Sequence, residues 1–254
     1  MLPTLLCHYY LTARLTFRPL GHCAWNAMSL STVILDFDGT LASSLEGILA
    51  CFQEALATFG YGRPSLAEVR RTVGLTLEES VRILTSGQCN GVKLAEVVDC
   101  YRALYTKKGR AMATLFPGAK ETLAAISEMG IRILLVSNKS HKGLCRLAEH
   151  LGIDASVNMM LGVDETSFRK PDARLFTETI APRLAEPQPG RVLMVGDTES
   201  DLLFAKNAGL RVCWASYGYG DEAACKALSP EFILPDIGQL PGLIHAINSS
   251  EQAG

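Results

Sequence analysis

The sequence predicts an α/β fold, a parallel sheet covered by helices on both faces, with a helical block inserted directly after the first strand. Three observations lead to it. Short β-branched or apolar runs alternate with segments of helical period, the pattern of strand–helix–strand units. These strands are mostly apolar, as expected of strands buried on both faces. Residues 44–112 carry helix signals and no strand signal.

Taken in order, the first strand is Thr32 to Leu35, closing in Asp36-Phe37-Asp38-Gly39-Thr40. After that turn Leu45, Ile48, Leu49, Phe52, Leu56 and Phe59 recur at helical spacing, and Gly60 stops the helix. Ser65-x-x-Glu68 and Thr76-x-x-Glu79 each read as a capping box opening a short helix. A longer helix is expected over about 92–111. Alternation then resumes. A helix runs from Pro117 to Gly130, a strand from Ile131 to Val136, and a helix to Gly152. A weaker strand spans Ser156 to Leu161, a helix Asp172 to about Leu184, and a strand Arg191 to Val195. A helix from Glu199 to Ala208, a strand from Leu210 to Ala215 and a short strand from Phe232 to Leu234 follow, and Asp236 caps a last helix.

Composition sets the class. The 254 residues are 48% hydrophobic and 20% charged, as in an ordinary globular protein. A formal net charge of -2 gives no electrostatic case for nucleic acid or an anionic membrane surface. No apolar run approaches the length that spans a bilayer. Eight cysteines, at 7, 23, 51, 89, 100, 145, 213 and 225, form no Cys-x-x-Cys pair, which points to free thiols in a reducing, cytoplasmic setting. Residues 1–27 stand apart: no acidic residue precedes Asp36, and no motif lies there. They read as an extension upstream of a start at Met28, with an Arg-containing transit peptide as the alternative.

The chemistry begins at Asp36 and Asp38. Residues two apart leave a strand on the same face, so both carboxylates belong at the carboxyl edge of the sheet, where open α/β sheets bind ligands. Adjacent anions repel unless a cation or proton intervenes. A calcium loop does not fit, because a strand enters it and its twelfth position is Gly47 instead of Glu. Three more polar groups follow later strands: Ser137-Asn138, Lys170-Pro171-Asp172, and Gly196-Asp197 with Asp201. Each alone is ordinary turn, cap or loop chemistry. In a parallel sheet they converge. Together they suit phosphoryl transfer, with Asp36 as nucleophile, Asp38 as acid–base group and Asp197 as a ligand for a hard cation such as Mg²⁺. Ser137, the Asn138 N–H and Lys170 would hold phosphoryl oxygens.

These four stretches, in this order, resemble the motifs of the haloacid dehalogenase superfamily. The resemblance implies a Rossmann-like core with a helical cap, so that residues 28–43 and 113–249 form the core, 44–112 the cap and 250–254 a tail. It implies Mg²⁺ held by the Asp36 and Asp197 side chains and the Asp38 carbonyl, with Asp201 one layer out. Thr40, Ser137 and Asn138 would contact substrate. Within the superfamily Tyr101-Arg102-x-x-Tyr105, Phe116-Pro117-Gly118 and Ser137-Asn138-Lys139 resemble phosphoglycolate phosphatases. Ser43-Ser44 stands where that group has Asp-Ser, and Lys170 to Phe176 looks more like sugar- and nucleotide-phosphatase relatives. The expected activity is hydrolysis of a small phosphate monoester, phosphoglycolate first. Phosphosugar mutase, pyrophosphatase and a non-catalytic binding protein are the alternatives. A small anionic substrate calls for a cap cation, and Arg70, Arg71 and Arg102 are the candidates, Arg71 foremost for its place near the Gly74 turn.

Overall fold

The computed structural model describes residues 29–250 except residue 186. The expectations for residues 1–27, for a start at Met28 and for the tail beyond 250 lie outside the described residues, as do Cys7 and Cys23.

The chain opens with β1 (Thr32–Leu35), buried along its whole length, and turns through β2 (Ala42–Ser43) into four helices. These are α1 (Leu45–Thr58), α2 (Leu66–Arg70), α3 (Leu77–Leu84) and α4 (Gly91–Leu104). Both capping boxes form, Ser65 with Glu68 and Thr76 with Glu79, satisfying backbone donors that each short helix would otherwise leave bare. The helix expected to reach residue 111 ends earlier. Beyond Leu104 it loosens into a π-helical turn, Tyr105–Gly109, and a 3₁₀ turn, Arg110–Met112. β3 (Thr114–Leu115) then pairs antiparallel with β2, so a two-stranded ribbon ties together the two ends of the helical insert.

The second part follows as α5 (Ala119–Glu128), β4 (Arg132–Val136), α6 (His141–Leu151) and β5 (Met159–Leu161). The helix expected over 172–184 forms instead as a π-helical turn, Leu175–Ile180, and a 3₁₀ turn, Ala181–Arg183. Pro182 lies in that 3₁₀ turn and has no N–H to continue an α-helical ladder. The chain closes with β6 (Val192–Gly196), α7 (Glu199–Asn207), β7 (Arg211–Ala215), α8 (Glu222–Ala227), β8 (Phe232–Leu234) and α9 (Leu240–Ser250).

Six strands make one parallel sheet in the order β5-β4-β1-β6-β7-β8. The chain builds outward from β1 in one direction and then in the other. The carboxyl end of β1 is therefore the switch point where α/β sheets open a crevice. The period of two decides the packing. Val33 and Leu35 enter a layer with α5, α6 and α9, whereas Ile34 enters one with α7, α8 and the 175–180 turn. The first layer is continuous with the interior of the helical insert, through Cys51, Phe52 and Val98. Cys51, Cys89, Cys213 and Cys225 are buried free thiols. Among the described residues no helix is long and apolar enough to cross a membrane.

Candidate active site

The carboxyl edge of the sheet gathers the polar residues of four strand ends. The Asp36 N–H donates to the Val195 carbonyl (3.0 Å), so pairing with β6 runs one residue past β1 and fixes the Asp36 backbone. The Ser137 N–H does the same with Leu161 (3.0 Å) at the end of β4.

Lys170 is the electrostatic centre. Its Nζ lies 2.7 Å from Asp36 Oδ1 and 2.6 Å from Asp201 Oδ1, and all three side chains are almost fully buried. Burial opposes the charge on Lys170, but the Asp201 and Asp36 carboxylates outweigh it and hold the ammonium above its ordinary range. The loop carrying Lys170 is clamped by Asn138. Its Oδ1 accepts from the Lys170 N–H (3.1 Å), and its Nδ2 donates to the Lys170 carbonyl (3.0 Å) and to the Gly74 carbonyl of the insert (2.8 Å). Asp201 sits in the first turn of α7. Its second oxygen accepts from the Thr198 N–H (3.0 Å) and hydroxyl (2.8 Å), an N-terminal capping box with an acidic partner.

Asp197 is completely buried. Its Oδ1 accepts from the Thr40 hydroxyl (2.9 Å) and its Oδ2 from the Tyr219 N–H (2.7 Å). Gly39 (φ +90°) allows this approach, since a Cβ there would stand 2.2 Å from Asp197 Oδ2. Asp38 has a different setting, although it is only two residues from Asp36. Its Oδ1 accepts from the Ser44 hydroxyl (2.5 Å) and its Oδ2 pairs with Lys139 Nζ (3.1 Å). The Lys139 ammonium also lies over the Tyr105 ring, 4.6 Å from its centroid. It ties the insert to the acid–base candidate.

Carboxylate oxygens of Asp36, Asp197 and Asp201 come within 4.8 Å of one another. Three buried carboxylates face one buried ammonium, which leaves a deficit of positive charge. Without a cation, burial pushes the Asp36 carboxyl up to about 7, Lys170 opposing and Asp201 adding. Burial, then Asp201 and Asp36, push Asp197 well above its usual range. An all-oxygen donor set this short of positive charge fits a hard divalent ion such as Mg²⁺. Both Asp201 oxygens are engaged, whereas Asp36 Oδ2 carries no hydrogen bond among the described residues. Asp36 therefore keeps an oxygen free for the ion, whereas both Asp197 oxygens, like those of Asp201, already accept hydrogen bonds.

Above this edge, between core and insert, lies a cavity of about 740 Å³ whose wall includes Asp36, Asp38, Ser137, Tyr101, Tyr105 and Arg102. The structure thus brings together Asp36, Asp38, Ser137, Asn138, Lys170, Asp197 and Asp201. Two candidates fall elsewhere. Arg71 is exposed at the end of α2 and lines a separate hollow with Tyr219 and Asp221, because the α2 end turns toward the loop after β7. Arg70, beside it, donates to the Gly218 and Tyr219 carbonyls (both 2.9 Å). Thr40, expected on substrate, directs its hydroxyl to Asp197 instead. Arg102 reaches the cavity but pairs with Glu78 (3.2 Å) and Asp99 (3.6 Å).

Two residues to which the sequence reading gave no role belong to the site. Lys139 adjoins a motif and could have been found as a cation one step past Asn138. Tyr219 gives its N–H to Asp197, and its hydroxyl accepts from the Ser44 N–H (2.8 Å). Its signal was the Tyr217-Gly218-Tyr219-Gly220 run at the end of a buried strand, where glycines let backbone crowd Asp197.

Known proteins are similar to this chain in sequence and in fold. A phosphoglycolate phosphatase of Vibrio cholerae is 28% identical over 218 residues, covering 84% of this chain and 96% of its own length. One from Mesorhizobium japonicum is 31% identical over 197 residues, covering 76% and 86%. The crystal structure of a predicted phosphoglycolate phosphatase from Haemophilus somnus has the same fold, with a TM-score of 0.79 at 23% identity over 84% of this chain and 97% of that one. The sequence profile of haloacid dehalogenase-like hydrolases matches residues 33–215, from the first strand through β7, and the chain belongs to that family.

Proposed function

We propose that the protein is a Mg²⁺-dependent phosphatase that hydrolyses a phosphate monoester through an aspartyl-phosphate on Asp36. The observation that carries this is the unequal treatment of two carboxylates on one turn: Asp36 bound to Lys170 beside Asp197, Asp38 bound to Ser44 and Lys139. Environments that differ this way divide nucleophile from acid–base group. The Asp36 and Asp197 side chains, with the Asp38 carbonyl, would hold Mg²⁺, which when bound would supply positive charge for the phosphoryl oxygens. Lys170 favours the ionised form of the Asp36 carboxylate against its burial and fixes its position. Asp36 Oδ2 attacks phosphorus as the bond to the ester oxygen breaks, and Asp38 gives that oxygen its proton. Asp38 then takes a proton from the water that attacks the aspartyl-phosphate, which releases inorganic phosphate and restores Asp36. In this reading the Ser137 hydroxyl and the Asn138 N–H hold phosphoryl oxygens.

Phosphoglycolate, named for the Vibrio and Mesorhizobium relatives, is the first metabolite to try. Release of phosphate from p-nitrophenyl phosphate, with Mg²⁺ and with excess EDTA, tests the class. Turnover that needs Mg²⁺ and vanishes in Asp36→Asn supports it. Absence of turnover on p-nitrophenyl phosphate and on a panel of metabolite phosphates overturns it.

A further inference from the structure

We propose that the substrate carries a second anionic group, held by Lys142 and Arg146 on the cavity wall away from the transferred phosphoryl. The proposal rests on the phosphatase reading above and names the substrate class for that same cavity.

The first ground is charge. Each acidic residue on the cavity wall already has a partner: Asp36 has Lys170, Asp38 has Lys139, Glu78 has Arg102, and Asp164 accepts the His141 N–H. Lys142 and Arg146, with Lys107 from the insert, line the same cavity and have no acidic partner among the described residues. Cations concentrated on one side of a cleft with low-dielectric walls favour an anionic ligand.

The second ground is geometry. Lys142 and Arg146 are one turn apart on α6 and so share a face. That helix starts just beyond Ser137-Asn138, the phosphoryl corner. At 1.5 Å per residue, Arg146 lies about 8 Å along the axis from the start of α6. The third ground is room. Contacts of Asn138 with Gly74, Arg70 with Gly218 and Arg169 with Glu79 dock the insert onto the core, yet a cavity of about 740 Å³ remains. That lies within the roughly 300–1,000 Å³ of sites for drug-sized ligands. Phosphoglycolate, a two-carbon acid, would leave most of it to water. Phe52, Tyr101 and Val73 give the space between an apolar wall suited to a carbon skeleton.

The test uses matched phosphate monoesters: hexyl phosphate against 6-phosphonooxyhexanoate, with ethyl phosphate against phosphoglycolate as the short pair. At low ionic strength the parent should favour the long acid over hexyl phosphate by about tenfold in kcat/KM, and added salt should shrink the gap. In Lys142→Glu/Arg146→Glu the long-chain preference should vanish or invert. Its kcat for p-nitrophenyl phosphate at saturation and its melting temperature should match the parent, since both residues are exposed and neither touches the groups around Asp36. Equal use of the long pair by the parent, or a preference that survives charge reversal, overturns the proposal. Should no monoester be hydrolysed, the phosphatase reading falls by itself. Calorimetric binding of hexane-1,6-diyl bisphosphate then decides: binding lost in the double variant supports the anion site, and equal binding removes it.

Discussion

Lys170 Nζ lies 2.7 Å from Asp36 Oδ1 in a setting where the lysine and aspartate side chains are 1% and 3% exposed. Such a pair is costly to desolvate, and removing one partner costs more than forming the pair gains. Lys170→Met would leave Asp36, Asp197 and Asp201 buried together without a cation from the protein. Urea denaturation in EDTA should show a loss of about 3–5 kcal/mol. Saturating Mg²⁺ should restore part of the stability but not turnover. An unchanged unfolding midpoint in EDTA would mean that the ion pair contributes nothing.

The two aspartates of the first motif should separate in kinetics. Asp36→Asn removes the attacking oxygen and should abolish turnover of p-nitrophenyl phosphate. Asp38→Asn keeps the nucleophile but cannot move a proton, so kcat should fall about 10²–10⁴-fold, the usual contribution of general acid–base catalysis. Retention of near-parent kcat by either variant would contradict its assigned role.

Asp36 and Asp197 also predict how stability depends on pH. Both carboxyls are raised above the ordinary 3.8, Asp36 to about 7, with burial the largest cause. Between about pH 4 and pH 7 the folded protein holds protons that the unfolded chain has released. The metal-free contribution is therefore complete below about pH 4 and is lost as pH rises through about 7. Glu68, held low by its hydrogen bond from Ser65, acts oppositely, but only as pH falls below its ordinary 4.5. In EDTA the melting temperature should be higher at pH 5.5 than at pH 8. Mg²⁺ takes the place of the protons and should raise it more at pH 8, with about 2.7 kcal/mol of stabilisation at a hundredfold excess over Kd. A metal-free melting temperature that rises from pH 5.5 to 8 would refute this.

Much of this site was legible because its parts lie at strand ends, and strands without polar interruptions are easy to read. The capping boxes at Ser65 and Thr76 were equally direct, since cap and partner are three residues apart. The β2–β3 ribbon was not legible, because two residues carry no period. Nor was α8, a six-residue helix whose one signal was Asp221 as its cap. Arg71 shows the sharper limit. Its proximity in sequence to Gly74 said nothing of which side of α2 meets the core, and that is set by tertiary contacts such as Arg70 with Gly218. Thr40 illustrates the same point, since one hydroxyl in a motif can face substrate or a neighbouring carboxylate.

Gly74 supplies the last prediction, because the insert meets the core at its backbone. Its carbonyl accepts from Asn138 Nδ2 (2.8 Å), its φ is +91°, and a Cβ added there would stand 2.7 Å from Thr198 Oγ1. Alanine at this position costs roughly 1–2 kcal/mol in backbone conformation. It also pushes against Thr198, whose hydroxyl is bound to Asp201. The loop between α2 and α3 can avoid both penalties by lifting from the core, which breaks the Asn138 contact and opens the cavity. Gly74→Ala should therefore raise KM severalfold for any substrate that the insert touches, with a small change in melting temperature. Asn138→Ala should differ, since it also frees both ends of the Lys170 peptide and so lowers kcat even for p-nitrophenyl phosphate. If Gly74→Ala lowered kcat as Asn138→Ala does while leaving KM unchanged, the contact would serve to position Lys170 and not to close the insert over the substrate.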